Sequence, residues 1–127
     1  MELYWVSEFE IGNELVDLQH RYFLDLLQRI EKSFKETIDN DYRRKLIIEL
    51  HKYADFHFTS EENIAISCGI PGVNQHHQLH IELIEELNLY AENMENGLKT
   101  IDEFLEFITD WFLVHTQHED RKLFNSA

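Results

Sequence analysis

Apolar residues recur every three or four positions along most of the chain, which is the spacing of helices that bury one face. Polar and glycine-containing breaks divide this pattern into four stretches. They span residues 13–38, 41–67 and 73–96, and a fourth that begins after Thr100 and extends to about Asp120. Short connections between long helices favour antiparallel neighbours. The predicted fold is therefore all-α, an up-down-up-down four-helix bundle.

The ends of these stretches carry recognisable signals. Gly69 can adopt the left-handed backbone that closes a helix, and Pro71 prevents the helix from continuing. Gly97 ends the third stretch. Thr100 and Glu103 have the spacing of a capping box, which predicts the start of the fourth helix.

The N-terminal segment, residues 1–12, follows a different pattern from the rest of the chain. Its large apolar residues share one parity: Leu3, Trp5, Phe9 and Ile11. This alternation is typical of extended backbone rather than helix. We expect an extended arm that lies across the bundle of residues 13–127 and covers part of its core. A frayed tail is the alternative.

Length and composition limit the architecture and the partners. With 127 residues, 43% of them hydrophobic, residues 1–127 are predicted to form a single domain around one core. The formal net charge of −14 disfavours nucleic acid and anionic membranes as partners. Cys68 is the only cysteine and cannot form an intramolecular disulfide. Without signal-peptide features or a long apolar run, the chain is predicted to be soluble and cytoplasmic, with a monomer favoured.

Histidine is unusually frequent, with eight residues in 127, and most lie on the apolar faces of predicted helices. At about 100° per residue, His20 shares its face with Phe23 and Leu27. The second and third helices each place a pair of donors one turn apart, and the fourth helix carries one donor on its apolar face. All four helices therefore direct metal-binding groups toward one core. The inward-facing donors are His20, His57, Glu61, His76, His80 and His115.

A metal centre explains this set better than hydrogen bonding does. A lone core histidine is usually satisfied by a hydrogen bond, but burying six polar groups without compensation costs a few kcal/mol each, against a total stability of about 5–15 kcal/mol. The sequence has no H-E-x-x-H motif, no cysteine cluster and no Glu-x-x-His pair, which disfavours zinc-protease and ferritin-like sites. The donors are too many for one tetrahedral zinc ion, and they favour two iron ions.

The spacing of these donors resembles that of the hemerythrin family, and specifically of single-domain bacterial hemerythrins. The matching segments are His20, His57-Phe58-Thr59-Ser60-Glu61, His76-x-x-x-His80 and His115-x-x-x-x-Asp120, together with Trp5 and Trp111. The resemblance covers nearly the whole chain, and the motifs are specific as a set although each alone is weak.

The resemblance implies a cofactor of two non-haem iron ions with a bridging oxo or hydroxo group. His76, His80 and His115 would hold one iron, and His20 and His57 the other. Glu61 and Asp120 would bridge the pair. The second iron would then lack one ligand, and dioxygen binds at that position in the family.

The function implied is reversible dioxygen binding for transport, storage or delivery, rather than enzymatic catalysis. Sensing of oxygen or redox state through a partner is one alternative. Reduction of peroxide or nitric oxide, or iron handling, is another. The dioxygen pocket is predicted to be lined by Phe23, Phe58, Ile64, Trp111, Thr116 and Gln117. The last two depart from the family, many members of which carry aliphatic residues there.

Some assignments remain open at this point. On a regular helix Glu119 follows His115 by one turn, whereas Asp120 lies about 140° away, so choosing Asp120 predicts a distorted helix. His77 could replace its neighbour His76. The remaining two histidines are expected outside the site: His51 on the surface, and His118 on the surface or behind the ligands.

Overall fold

The computed structural model describes residues 5–36 and 39–125, and over these residues the chain is helical without strands. The helices are α1 (Glu14–Glu36), α2 (Asn40–Ser67), α3 (Val73–Glu95), α4 (Ile101–Asp110) and α5 (His118–Asn125). A π-helical segment, Trp111–Gln117, joins α4 to α5 into one continuous stretch. The predicted all-α class with four long helical stretches is confirmed. The predicted end of the first helix at Ile38 lies outside the described residues.

Helix ends follow the sequence signals closely. Thr100 and Glu103 form the predicted reciprocal capping box at the start of α4. Gly69 and Gly97 have φ values of 69° and 77°, the left-handed backbone expected after α2 and α3. The side chain of Asp39 accepts a hydrogen bond from the backbone N–H of Tyr42 and caps α2.

The main apolar core lies between the four helical stretches. Consecutive stretches contact each other, and α1 also contacts α4. Residues in this core include Phe23, Leu27, Ile30, Leu50, Leu83, Leu87, Phe104, Ile108 and Phe112. A smaller cluster of Ala65, Ile70 and Leu123 packs α5 against the end of α2. The fourth stretch is thereby held against the bundle at both of its ends.

The N-terminal segment contacts α1 and the π segment. Trp5 packs against the main core, and the guanidinium of Arg21 lies 4.2 Å above its indole ring. Gln117 donates its amide N–H to the carbonyl of Phe9 at 2.6 Å. Ser7–Phe9 forms one 3₁₀ turn, which interrupts the predicted extended backbone and pairs backbone groups that a lone strand would leave unpaired. Leu3 lies outside the described residues.

None of the helices in the part of the chain described here is both long enough and apolar enough to cross a membrane.

Candidate metal centre

Six of the seven predicted ligands converge at one buried position between the helices. They form two groups of four donors, and within each group the donor atoms all lie within 4.8 Å of one another. One group is His20, His57, Glu61 and Asp120; the other is Glu61, His76, His80 and Asp120. Both carboxylates belong to both groups. The side chain of the seventh predicted ligand, His115, is outside what the structure describes.

The first group joins α1 and α2 to α5. The Nε2 atom of His20 lies 2.7 Å from Oδ2 of Asp120, and Nε2 of His57 lies 3.1 Å from the same oxygen. The two Nε2 atoms are 3.2 Å apart. Both imidazoles are fully buried, and both direct the same ring nitrogen at one carboxylate oxygen.

The second group joins α2 and α3 to α5. Nε2 of His76 lies 2.6 Å from Oε1 of Glu61 and 3.1 Å from Oδ1 of Asp120. Nε2 of His80 lies 3.2 Å from the same Glu61 oxygen. Asp120 therefore presents Oδ2 to the first group and Oδ1 to the second, which is the arrangement of a carboxylate that spans two adjacent ions.

Among the residues whose side chains the structure describes, which leave out His115, several buried atoms in the cluster have no hydrogen-bond partner. Oε2 of Glu61 and Nε2 of His80 are buried without one, a condition that costs about 1–3 kcal/mol for each group. The facing Nε2 atoms of His20 and His57 can share only one proton between them. The nitrogen that lacks the proton keeps a lone pair directed into the cluster, where it could bind a cation. Imidazole and carboxylate donors suit iron, so the residues present fit the implied metal.

Electrostatics keeps the imidazoles available as ligands. Burial lowers the pKa of His57, and it lowers the pKa of His80 to about 4, so both rings are neutral at neutral pH. Burial, followed by repulsion from Asp120, raises the pKa of Glu61 well above its ordinary value. Burial also acts to raise the pKa of Asp120, but hydrogen bonds from Glu61 and the histidines hold it well below its ordinary value. One carboxylate charge is thus already present for a cation to meet.

Comparison with known proteins identifies the family. Residues 11–127 match the model of the hemerythrin HHE cation binding domain. The chain belongs to the hemerythrin family. It is 30% identical over 124 residues to a bacteriohemerythrin of Clostridium acetobutylicum, covering 93% of this chain and 95% of that protein. It is 24% identical over 119 residues to a bacteriohemerythrin of Stenotrophomonas maltophilia, covering 94% and 77%. A myohemerythrin of Theromyzon tessulatum is 23% identical over 120 residues, covering 93% and 88%.

Hemerythrins are in general iron-binding and oxygen-binding proteins, and the resemblance inferred from the sequence is confirmed. In this member of the hemerythrin family, the structure also answers the positional questions that the sequence left open. His76 belongs to the cluster, whereas His77 is exposed. His118 is exposed, and His51 is half-buried with Nδ1 2.9 Å from the carbonyl oxygen of Ile47.

The predicted distortion before Asp120 is confirmed as the π segment, Trp111–Gln117, whose backbone contains His115. A π-helix closes its turns over five residues instead of four, so it narrows the angle between positions i and i+5. Asp120 is consequently buried in the donor cluster. The side chain of Glu119 instead lies outside the donor cluster, with its Oε2 3.7 Å from Nζ of Lys122.

The predicted pocket residues lie beside both groups of donors. The ring of Phe23 lies edge-on to His57 at 5.2 Å, and Trp111 lies 5.7 Å from Phe23. Phe58 stacks on His80 at 4.0 Å between ring centroids, and its ring also lies 5.7 Å from that of His57. Ile64 is half-buried and lines a surface depression.

Thr116 and Gln117 are both buried. Among the residues that the structure describes, the hydroxyl of Thr116 and Oε1 of Gln117 have no hydrogen-bond partner. The amide N–H of Gln117 donates a hydrogen bond to the carbonyl of Phe9 in the N-terminal segment.

Three supporting residues of this hemerythrin site were not predicted. Phe112 is fully buried, with its ring edge-on to His20 at 5.9 Å. Nδ1 of His57 donates to Oε1 of Gln19 at 2.7 Å, and Nδ1 of His80 donates to Oε2 of Glu62 at 2.7 Å. Gln19 and Glu62 each adjoin a predicted ligand in sequence, and that adjacency is the only signal that could have suggested them.

Proposed function

We propose that this chain binds dioxygen reversibly at a non-haem di-iron centre, for transport, storage or delivery of oxygen. The observation that carries the proposal is that two groups of four buried donors share Glu61 and Asp120. Two cations that shared both carboxylates would lie next to each other rather than in separate sites. Membership of the hemerythrin family supports iron as the metal.

In the proposed centre, His76 and His80, with His115, would hold one iron, and His20 and His57 would hold the other. Glu61 and Asp120, which belong to both groups of donors, would be ligands common to the two ions. When bound, the iron pair would supply the two electrons that dioxygen takes up. The half with fewer histidines, that of His20 and His57, would be the one that receives dioxygen.

The environment on that side supports binding without further reaction. Rings of Phe23 and Phe112 lie against His57 and His20, and both phenylalanines are fully buried. Such a wall excludes water, which would otherwise supply protons to the reduced ligand. The protein therefore acts here by holding the ligands and keeping the position dry.

The proposal includes an up-down-up-down bundle that carries an N-terminal arm. Antiparallel order is supported by contacts between α1 and α2, because residues later in α1 contact residues earlier in α2. The pairs are Gln19 with Ser60, Arg29 with Glu49, and Phe34 with Arg43. An arm is supported by hydrogen bonds from Gln117 and Arg121 to the carbonyls of Phe9 and Glu8.

Anaerobic loading with ferrous iron, followed by exposure to air, tests the function. We expect about two irons per chain and a visible absorption band that appears with oxygen and disappears under argon over repeated cycles. A band that forms once and does not reverse, or a chain that retains only one ion, would contradict reversible binding at a di-iron site.

Reduction of peroxide or nitric oxide is the second candidate, because the π segment carries two buried polar side chains with unpaired oxygens, Thr116 and Gln117. Such atoms can hold water near the centre and supply protons. Multiple turnovers of peroxide or nitric oxide by the iron-loaded protein, with an electron donor present, would favour this enzyme over a carrier.

A further inference from the structure

The carboxylate of Glu62 lies between α2 and α3 and contacts two histidines of α3. Its Oε2 accepts the Nδ1–H of His80 at 2.7 Å, and its Oε1 accepts the Nδ1–H of His77 at 2.7 Å. The side chain of Glu62 is 18% exposed, whereas that of His77 is 57% exposed. Glu62 is outside the donor cluster, yet it directly holds one member of that cluster.

The contact with Glu62 fixes which nitrogen of His80 can act as a ligand. Because Nδ1 carries the donated proton, the lone pair is on Nε2, the atom that lies 3.2 Å from Oε1 of Glu61. Phe58 stacks on the face of the same imidazole, with the two rings within 7° of parallel. The His80 ring is thus held at its edge by Glu62 and at its face by Phe58.

The corresponding histidine in the other half of the site has a weaker partner. Nδ1 of His57 donates to the neutral amide oxygen of Gln19, and the amide N–H of Gln19 donates in turn to the hydroxyl oxygen of Ser60 at 2.9 Å. A carboxylate accepts a stronger hydrogen bond than an amide does, and it makes the imidazole a more basic ligand. The two halves of the centre therefore receive unequal support from the residues behind their ligands.

We propose that Glu62 is a positioning residue, braced by His77, that orients and strengthens His80 and so selectively tightens binding of the ion held by His76 and His80. Glu62 reaches that ion only through His80. The N–H of His77 occupies the second carboxylate oxygen and keeps the carboxylate from rotating away from His80. This inference rests on the proposed two-ion function, and it assigns the control of one half of the site.

Competition titration of the metal-free protein with Co²⁺ against a chromophoric chelator tests the proposal. Cobalt has visible bands that report its coordination, and the titration resolves two dissociation constants. Glu62→Gln preserves shape but cannot accept both N–H groups. We expect it to weaken one of the two constants by roughly ten- to a hundredfold and to leave the other unchanged. His77→Ala should weaken the same constant by less.

Gln19→Leu is the matched variant in the other half, because it removes the acceptor from His57. It should weaken the constant that Glu62→Gln spares, and the double variant should weaken both. The cobalt bands should shift in Glu62→Gln while the circular dichroism and melting temperature of the metal-free variant match the parent. A purely structural role for Glu62 would move the melting temperature and leave the bands of the bound ion in place.

Two results would overturn the inference. One is a folded Glu62→Gln variant with both constants unchanged, and the other is equal weakening of both constants. Failure of the proposed function is distinguishable from these results, because the parent protein itself would then bind fewer than two cobalt ions.

Discussion

At the scale of single residues, Asp120 has the largest expected effect on the centre. Its two oxygens face different histidine groups, its Oδ2 lies 2.7 Å from Nε2 of His20, and it is 1% exposed. Its neighbour Glu119 is also acidic, but its side chain lies outside the donor cluster, beside Lys122. The two positions are adjacent and both acidic. Replacing each in turn therefore compares a carboxylate inside the cluster with one outside it.

We expect Asp120→Asn to reduce bound iron from two ions to one or none, because an amide offers one weak ligand oxygen where the carboxylate offers two charged ones. The affinity loss should be at least tenfold. Metal analysis after dialysis measures it. Glu119→Gln should retain both ions, and equal losses in the two variants would show that the side chain of residue 120 does not bridge.

The individual ligands could be predicted from sequence because each depends on helical periodicity. His57 and Glu61, like His76 and His80, are one turn apart and must share a face. The residues behind them could not be predicted in this way. Glu62 contacts His80 across two helices, and the geometry of that contact depends on how α2 and α3 cross, which no local pattern encodes.

At the scale of elements, the π segment links the metal centre to the N-terminal segment. Gln117 lies at its last position and donates to Phe9, and Arg121 in the next turn donates to the carbonyl of Glu8. The π-helical distortion was predictable because the family resemblance selects Asp120, which does not share a face with His115 on a regular helix. The 3₁₀ turn at Ser7–Phe9 was not, because the alternation of large apolar residues there also fits a turn that buries the aromatic rings.

Gln117→Leu and Thr116→Val should change stability in different directions. The first removes the hydrogen bond to the Phe9 carbonyl and should lower the free energy of unfolding by about 1 kcal/mol. The second replaces a buried hydroxyl that lacks a partner with a methyl group of similar shape, and should leave stability unchanged or raise it.

Urea denaturation of both variants beside the parent protein measures these changes in stability. Limited proteolysis should cut the N-terminal segment faster in Gln117→Leu only. If Gln117→Leu is as stable as the parent and its N-terminal segment is equally resistant, the hydrogen bond to Phe9 does not hold that segment.

At the scale of the whole molecule, the centre connects elements that are far apart in the chain. His20 of α1, His57 of α2, His76 of α3 and Asp120 of α5 lie in two donor groups that share Glu61 and Asp120, so cations bound there would join the four helical stretches. The sequence predicted this convergence, because each stretch contributes a donor on its apolar face. Removal of metal should accordingly affect the whole bundle rather than one loop.

The metal-loaded protein should melt at a higher temperature than the metal-free protein. A ligand that binds only the folded state stabilises it by about 2.7 kcal/mol when its free concentration is a hundred times its dissociation constant. Scanning calorimetry before and after chelation measures the shift. The melting temperature should rise with added iron, and a temperature independent of metal would show that the donors do not join the helices through a cation.

Trp111 gives this architecture an optical consequence. Its indole N–H donates to the carbonyl of Leu83 at 3.0 Å, so the ring is rigidly held and 1% exposed. The ring of Phe23 lies between Trp111 and His57. The ring of Phe58 lies between Trp111 and His80. At such short range, a coloured metal ion accepts the excitation energy of the indole. The fluorescence of Trp111 should therefore decrease as metal binds. Its intensity then reports the fraction of centres that are occupied by metal.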